Sequence, residues 1–112
     1  MKIYHNPRCR KSRETLALLV QNGTEPEIIE YLKTALERTE IQELLMMLKM
    51  TAEQLVRKEE KIYKELYKEQ ELTESQFVDI LCQHPILIQR PIVVKDNVAV
   101  LGRPPGNVLD LF

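Results

Sequence analysis

The feature that most constrains this sequence is a strand, a turn carrying a cysteine, a helix and a second strand, all within about thirty residues. Lys2–His5 is a short β-type run, and Asn6-Pro7 is a turn signal. From Ser12 the apolar residues Leu16, Leu19 and Val20 recur at helical spacing. Gly23, with Pro26 beyond it, stops that helix. Glu27–Tyr31, with Ile28 and Ile29 inside it, reads as the next strand. A βαβ unit this short makes its two strands parallel, because only a crossover helix can return the chain to the same end of a sheet.

The middle of the chain changes character. Thr34-Ala35-Leu36-Glu37, Thr51-Ala52-Glu53-Gln54 and Thr73-Glu74-Ser75-Gln76 each have capping-box form. Ile41, Leu44, Leu45 and Leu48 make one helical stripe, Tyr63, Leu66 and Tyr67 a second, and Phe77, Ile80 and Leu81 a third. An all-helical block over about residues 35–83 is therefore expected. His84-Pro85 ends it, since the residue before proline is pushed out of the α region. The charge-rich run Arg57–Glu71, with pairs such as Glu60 and Lys64 at i,i+4, reads as a solvated helical face. The tail returns to β. Pro91–Val94 and Val98–Leu101 flank Asp96-Asn97, a tight hairpin turn, and Pro104-Pro105 can open a last helix. The order βαβ, helical block, ββα predicts an α/β fold with a mixed four-stranded sheet and a helical insertion, as a single domain over 1–112.

Size and charge bound what such a chain can do. A length of 112 residues with 44% hydrophobic residues suits one domain with its own core. A net charge of −1 argues against nucleic-acid binding as the main activity. No apolar run approaches the roughly 20 residues of a membrane span. The start, Met1–His5, leads straight into the motif with no room for a signal peptide. The two cysteines, Cys9 and Cys82, make no disulfide framework, so a reducing, cytoplasmic setting is expected. His5 and His84 have no partner at metal-ligand spacing, so no metal is expected.

Cys9 stands between the turn and the helix, where free N–H groups and the helix dipole favour an anion. Arg8, Arg10, Lys11 and Arg13 surround it in sequence, and positive charge also lowers a thiol pKa. Ser12 could give a hydroxyl to the thiolate or to a bound oxyanion, and His5, if protonated and nearby, would stabilise the thiolate further. A reactive thiol and a structural cysteine in a basic loop both remain open at this point. No Cys-x-x-Cys occurs, because Ser12 holds the second position. Cys82, among Phe77, Ile80 and Leu81, reads as a buried, inert cysteine. Arg90 and Arg103 each precede a proline and are held extended, and Arg57 follows Leu55-Val56 at a helix end. Guanidinium forks suit tetrahedral oxyanions. Any one of the three alone reads as a surface arginine.

With these residues in place, the chain resembles the ArsC arsenate reductase family, the glutaredoxin-coupled kind, from end to end. Ile3–Arg13 looks like that family's strand, cysteine loop and helix start. Asn22–Pro26 and Glu30-Tyr31-Leu32 match its second strand region, His84–Val94 its later stretch, and Gly102-Arg103-Pro104-Pro105 its final arginine loop. Ala35-Leu36 replaces the family's usual Pro-Pro, and Arg10-Lys11 is bulkier than the usual Gly-Thr. The resemblance implies a thioredoxin-like fold with Pro91 as a cis-proline. It implies Cys9 as nucleophile, His5 and Ser12 as residues that tune it, and Arg57, Arg90 and Arg103 as oxyanion ligands. It implies arsenate as substrate, with glutathione as reductant and glutaredoxin as partner, no bound cofactor or metal, and a monomer. Two other readings share the scaffold. One is an ArsC-like thiol oxidoreductase with another substrate. The other is a regulator resembling the Spx branch, which binds RNA polymerase and usually carries the Cys-x-x-Cys that Ser12 interrupts here.

Overall fold

Strand β1 (Lys2–Tyr4) lies at the centre of the first unit, with β2 (Glu27–Ile29) parallel on one side and β3 (Ile92–Lys95) antiparallel on the other. Strand β4 (Val98–Leu101) completes the order β2-β1-β3-β4. The computed structural model describes residues 1–112 and divides into two compact units, Met1–Thr34 with Arg90–Phe112, and Ala35–Gln89.

Helix α1 (Arg10–Gln21) is the crossover between the parallel strands. Its buried stripe is Ser12, Thr15 and Leu19, whereas Val20, expected on that face, is 58% exposed. Gly23 at φ +85° ends the helix, its N–H donating to the Val20 carbonyl at 3.0 Å. Ile3, Leu19, Val93 and Val108 are fully buried and form the core of this unit with Leu111. Burying each such side chain contributes roughly 1.5–3 kcal/mol. Strand β2 is shorter than the sequence suggests. The chain turns at Glu30, whose carbonyl accepts from the N–H groups of Lys33 and Thr34, so Tyr31 is buried within a turn rather than a strand. The β3–β4 hairpin turns at Asp96, which takes the left-handed φ of 55° that such two-residue turns need. The last segment, Pro105–Leu111, is a 3₁₀ helix with Pro105 in its first turn.

The second unit holds α2 (Arg38–Leu48), α3 (Ala52–Leu55), α4 (Lys61–Leu66) and α5 (Glu74–Gln83). Helices α2 and α3 pack on α5. The buried residues Ile41, Leu44, Leu55, Phe77 and Leu81 carry this packing. Two capping boxes form as expected. Thr51 Oγ1 accepts from Gln54 N at 3.2 Å and Gln54 Oε1 from Thr51 N at 3.0 Å. Thr73 and Gln76 do the same at 3.2 and 2.8 Å. Caps of this kind contribute about 1 kcal/mol each. Glu74 also accepts from Ala52 N at 2.8 Å, closing the start of α3. The third box, at Thr34, does not form. The Thr34 N–H is held by Glu30 in the turn, Leu36 is buried, and α2 begins only after Glu37, without a side-chain cap. Of the middle stripe, Tyr63 is buried but Leu66, at the end of α4, is 48% exposed. Glu60 pairs with Arg57 at 2.7 Å rather than with Lys64.

Candidate active site

Sheet register explains why residues far apart in sequence meet. Tyr4 pairs with Ile92 and Ile92 with Leu101. Three chain segments therefore reach one end of the sheet: His5–Cys9 leaving β1, Arg90-Pro91 entering β3, and Gly102-Arg103 leaving β4. The Arg90–Pro91 and Arg103–Pro104 peptides are both cis.

The cysteine loop is built on side-chain hydrogen bonds. Asn6 Oδ1 accepts from Arg8 N at 3.0 Å, and the Asn6 carbonyl accepts from Cys9 N at 3.0 Å. These bonds bend the chain so that Cys9 becomes the N-cap of α1, extended at φ −94°, with its carbonyl accepting the first helical bond from Arg13 N at 3.0 Å. Ser12, fully buried one turn later, meets His5 Nδ1 at 2.6 Å and accepts from Asn6 N at 3.1 Å. The Ser12 hydroxyl thus pins the loop to the end of β1, and the Ser12 group that reaches the thiol is its backbone N–H.

Half-burial by itself would raise the Cys9 pKa, since it disfavours the thiolate. The Ser12 N–H, the Arg90 charge, the Lys11 N–H and hydrogen bonding from Arg90 together outweigh it and hold the thiol below its ordinary range. The neighbouring basic residues are occupied elsewhere. Arg10 Nε donates to Glu14 at 2.8 Å, Arg13 Nη1 donates to the Pro7 carbonyl at 3.0 Å, and Arg8 and Lys11 are exposed. The cation that acts on Cys9 is Arg90, from the other end of the chain. His5 is also unlike the sequence reading. Burial lowers its pKa, Glu30 only partly opposes this, and Arg13 lowers it further, so it is neutral near pH 7 and adds no positive charge.

Arg90 Nε and Nη1 are buried and have no hydrogen-bond partner. Buried guanidinium donors without acceptors are costly, and an oxyanion is the ligand chemistry that would satisfy them. Arg103 lies at the same sheet end with an exposed side chain, and its carbonyl accepts from Asn107 Nδ2 at 3.1 Å. Arg57, in the helical unit, is mostly engaged. Its backbone N donates to the Leu87 carbonyl at 2.7 Å, Nη1 to the Ile86 carbonyl at 3.2 Å, and Nη2 pairs with Glu60 at 2.7 Å. Its Nε is buried without a hydrogen bond, with Glu59 at 3.6 Å. Both cysteines are free. Cys82 is half-buried, and burial pushes its thiol up against a partly compensating Arg38. No three His, Cys, Asp or Glu side chains come together as a metal-holding group, and no helix is long and apolar enough to cross a membrane.

The sheet order, the helix behind the cysteine loop and the proline opposite it are those of a thioredoxin-like fold. Over residues 4–111 the sequence matches the ArsC family. It is 46% identical over 113 residues to the uncharacterised protein YfgD of Escherichia coli K12, covering 99% of this chain and 95% of that one. It is 43% identical over 111 residues to the arsenate reductase of Escherichia coli K12, covering 98% of this chain and 79% of that protein. The solved structure of an arsenate reductase from Vibrio cholerae superposes with a TM-score of 0.94 at 42% identity, covering 99% of this chain and 96% of the other. The chain belongs to the ArsC family.

Proposed function

We propose that this protein is an arsenate reductase that uses the Cys9 thiolate as nucleophile, glutathione as reductant and glutaredoxin as the protein that recycles it. The observation that carries the reading is the pairing of a low-pKa thiol at a helix start with Arg90, whose buried Nε and Nη1 have no acceptor. The names of the Escherichia coli and Vibrio cholerae relatives support the substrate.

In this reading Cys9 attacks the arsenic atom and water leaves, giving a thiol adduct of As(V). The arginines Arg90 and Arg103 hold its oxygens. The thiol of glutathione then attacks the Cys9 sulfur. A disulfide forms between Cys9 and glutathione, the electron pair of the sulfur–arsenic bond passes to arsenic, and arsenite departs. Per turnover, two thiols are oxidised by two electrons, one As(V) is reduced to As(III), and one water is released. Glutaredoxin removes the glutathione from Cys9 by thiol–disulfide exchange. This cycle suits the reducing cytoplasm.

The test is arsenite formation from arsenate, coupled to NADPH oxidation through glutathione reductase. Full rate is expected only with glutathione and glutaredoxin both present. Arsenite formed equally well without either one overturns the reductant, and no arsenite under any combination overturns the substrate.

A further inference from the structure

We propose that Gly102 and Thr15 are positioning residues that set the spacing between the Cys9 helix and the two arginine-bearing turns at the end of the sheet. This rests on the reading of Cys9 and Arg90 as the reacting pair.

Gly102 is buried where three segments converge. A β-carbon at this position would lie 2.6 Å from Thr15 Oγ1, 3.0 Å from Thr15 Cγ2 and 2.9 Å from Pro91 Cγ. No side chain fits there unless α1 or Pro91 moves. The close approach is also held by hydrogen bonds. Gly102 N donates to the Pro91 carbonyl at 2.9 Å, which carries the β3–β4 ladder one step past the Ile92–Leu101 pair. Thr15 Oγ1, fully buried, lies 2.8 Å from the Lys11 carbonyl and 3.4 Å from the Gly102 carbonyl.

Each member of this stack adjoins a group of the candidate site. Pro91 follows Arg90, Gly102 precedes Arg103, and Thr15 sits on α1, whose first-turn N–H groups from Lys11 and Ser12 face the thiol. The missing side chain at 102 is therefore what lets α1 approach the Arg90 turn closely enough for its guanidinium to act on Cys9. Neither Gly102 nor Thr15 touches the thiol. They act through Arg90, Arg103 and the start of α1. Displacements of about 1 Å in such an arrangement cost up to roughly 10²-fold in rate.

The experiment compares Gly102→Ala, Thr15→Val, the double change Gly102→Ala with Thr15→Ala, and the control Gly106→Ala. At Gly106 an added β-carbon meets nothing within 4 Å. Three properties are measured: thermal unfolding, the pH midpoint of Cys9 alkylation, and kcat and KM for arsenate. Gly102→Ala is expected to raise the alkylation midpoint by about one pH unit, a tenfold loss of thiolate below the midpoint. It is also expected to raise KM about tenfold, while the Gly106 control stays at the wild-type values. The double change removes both Thr15 atoms that the new methyl would strike but leaves Pro91 Cγ at 2.9 Å and gives up the Thr15 hydroxyl, so it is expected to recover only part of the midpoint shift. A folded Gly102→Ala with the wild-type midpoint and KM overturns the proposal, as does a double change no better than the single one. If Gly102→Ala fails to fold, Thr15→Val decides. That change keeps the shape but removes the hydroxyl, and an unmoved midpoint and KM overturn the proposal. The two readings fail separately. A wild type that reduces no arsenate, with a midpoint that still moves in Gly102→Ala, loses the substrate and keeps the positioning. An active wild type matched by Gly102→Ala does the reverse.

Discussion

Cys9→Ser is expected to lose arsenate reduction by on the order of 10³-fold or more and to keep its fold. A serine hydroxyl is not ionised near neutral pH, so the Lys11 and Ser12 N–H groups and Arg90 have no anion to stabilise. The fold does not depend on the sulfur. Cys9 is half-buried, its side chain makes no cap bond, and the loop is held by Asn6, Ser12 and His5. Serine is a preferred N-cap residue, and at this position its hydroxyl can accept from the same Lys11 and Ser12 N–H groups. Thermal unfolding of the variant should therefore match or exceed that of the wild type. Arsenite formation and a melting curve on the same sample check both halves. A variant with wild-type turnover removes Cys9 from the mechanism.

Arg90→Ala is the second large effect, about 10²-fold in kcat/KM for arsenate. Two losses combine. The thiolate loses the cation that favours it, and the oxyanion loses a donor fork. Stability should move the other way or not at all. Nε and Nη1 are buried without acceptors, so their removal relieves a desolvation cost that offsets the lost hydrogen bonding to Cys9. A less active, equally stable variant is the signature of a residue retained for chemistry. Arg90→Lys should restore part of the effect on Cys9 and little of the arsenate affinity, since an ammonium keeps the charge but not the planar fork. Steady-state kinetics beside a denaturation curve read out all of this. Equal kinetics in Arg90→Ala would take Arg90 out of the site.

Much of the architecture is legible in the sequence because it is local. The βαβ opening follows from a turn at Asn6-Pro7, a helical stripe and a left-handed glycine at 23. The hairpin follows from Asp96-Asn97 between two apolar runs, and two of the helix starts follow from Thr-x-x-Gln boxes. Local signals fail where a longer-range contact competes. Thr34 looks like a cap, but the turn closing on the Glu30 carbonyl takes its N–H first. Glu60 has a lysine at the right helical spacing, yet it pairs with the better-buried Arg57.

The candidate site divides along the same line. Cys9 can be read from its place at a helix start, because helix N–H groups act on whatever residue sits there. The source of the positive charge cannot be read that way. Four basic residues adjoin Cys9 in sequence, but two of them bond to Glu14 and the Pro7 carbonyl and two are exposed. The charge that acts comes from Arg90, brought in by the antiparallel register of β1 and β3. Spacing along the chain carries no trace of that register. His5 keeps its place beside Ser12 but is neutral, because burial outweighs the favourable Glu30. The tight fit of Gly102 against Thr15 and Pro91 is visible only in three dimensions.

The proposed chemistry stands on an activated Cys9 thiolate beside an oxyanion site. The most direct test is the rate of Cys9 alkylation against pH, followed by mass analysis of the Cys9 peptide, with and without arsenate. The pKa of Cys9 is lowered in the folded protein, so its thiolate persists to lower pH than that of an ordinary cysteine and is lost as the pH falls through that lowered value. By linkage, the same shift adds stability above the unfolded cysteine value of about 8.5, and that stability is lost as the pH falls through the folded value. A midpoint clearly below about 8.5 and saturable protection by arsenate are expected. A midpoint at or above about 8.5, or alkylation that arsenate does not slow, would contradict it.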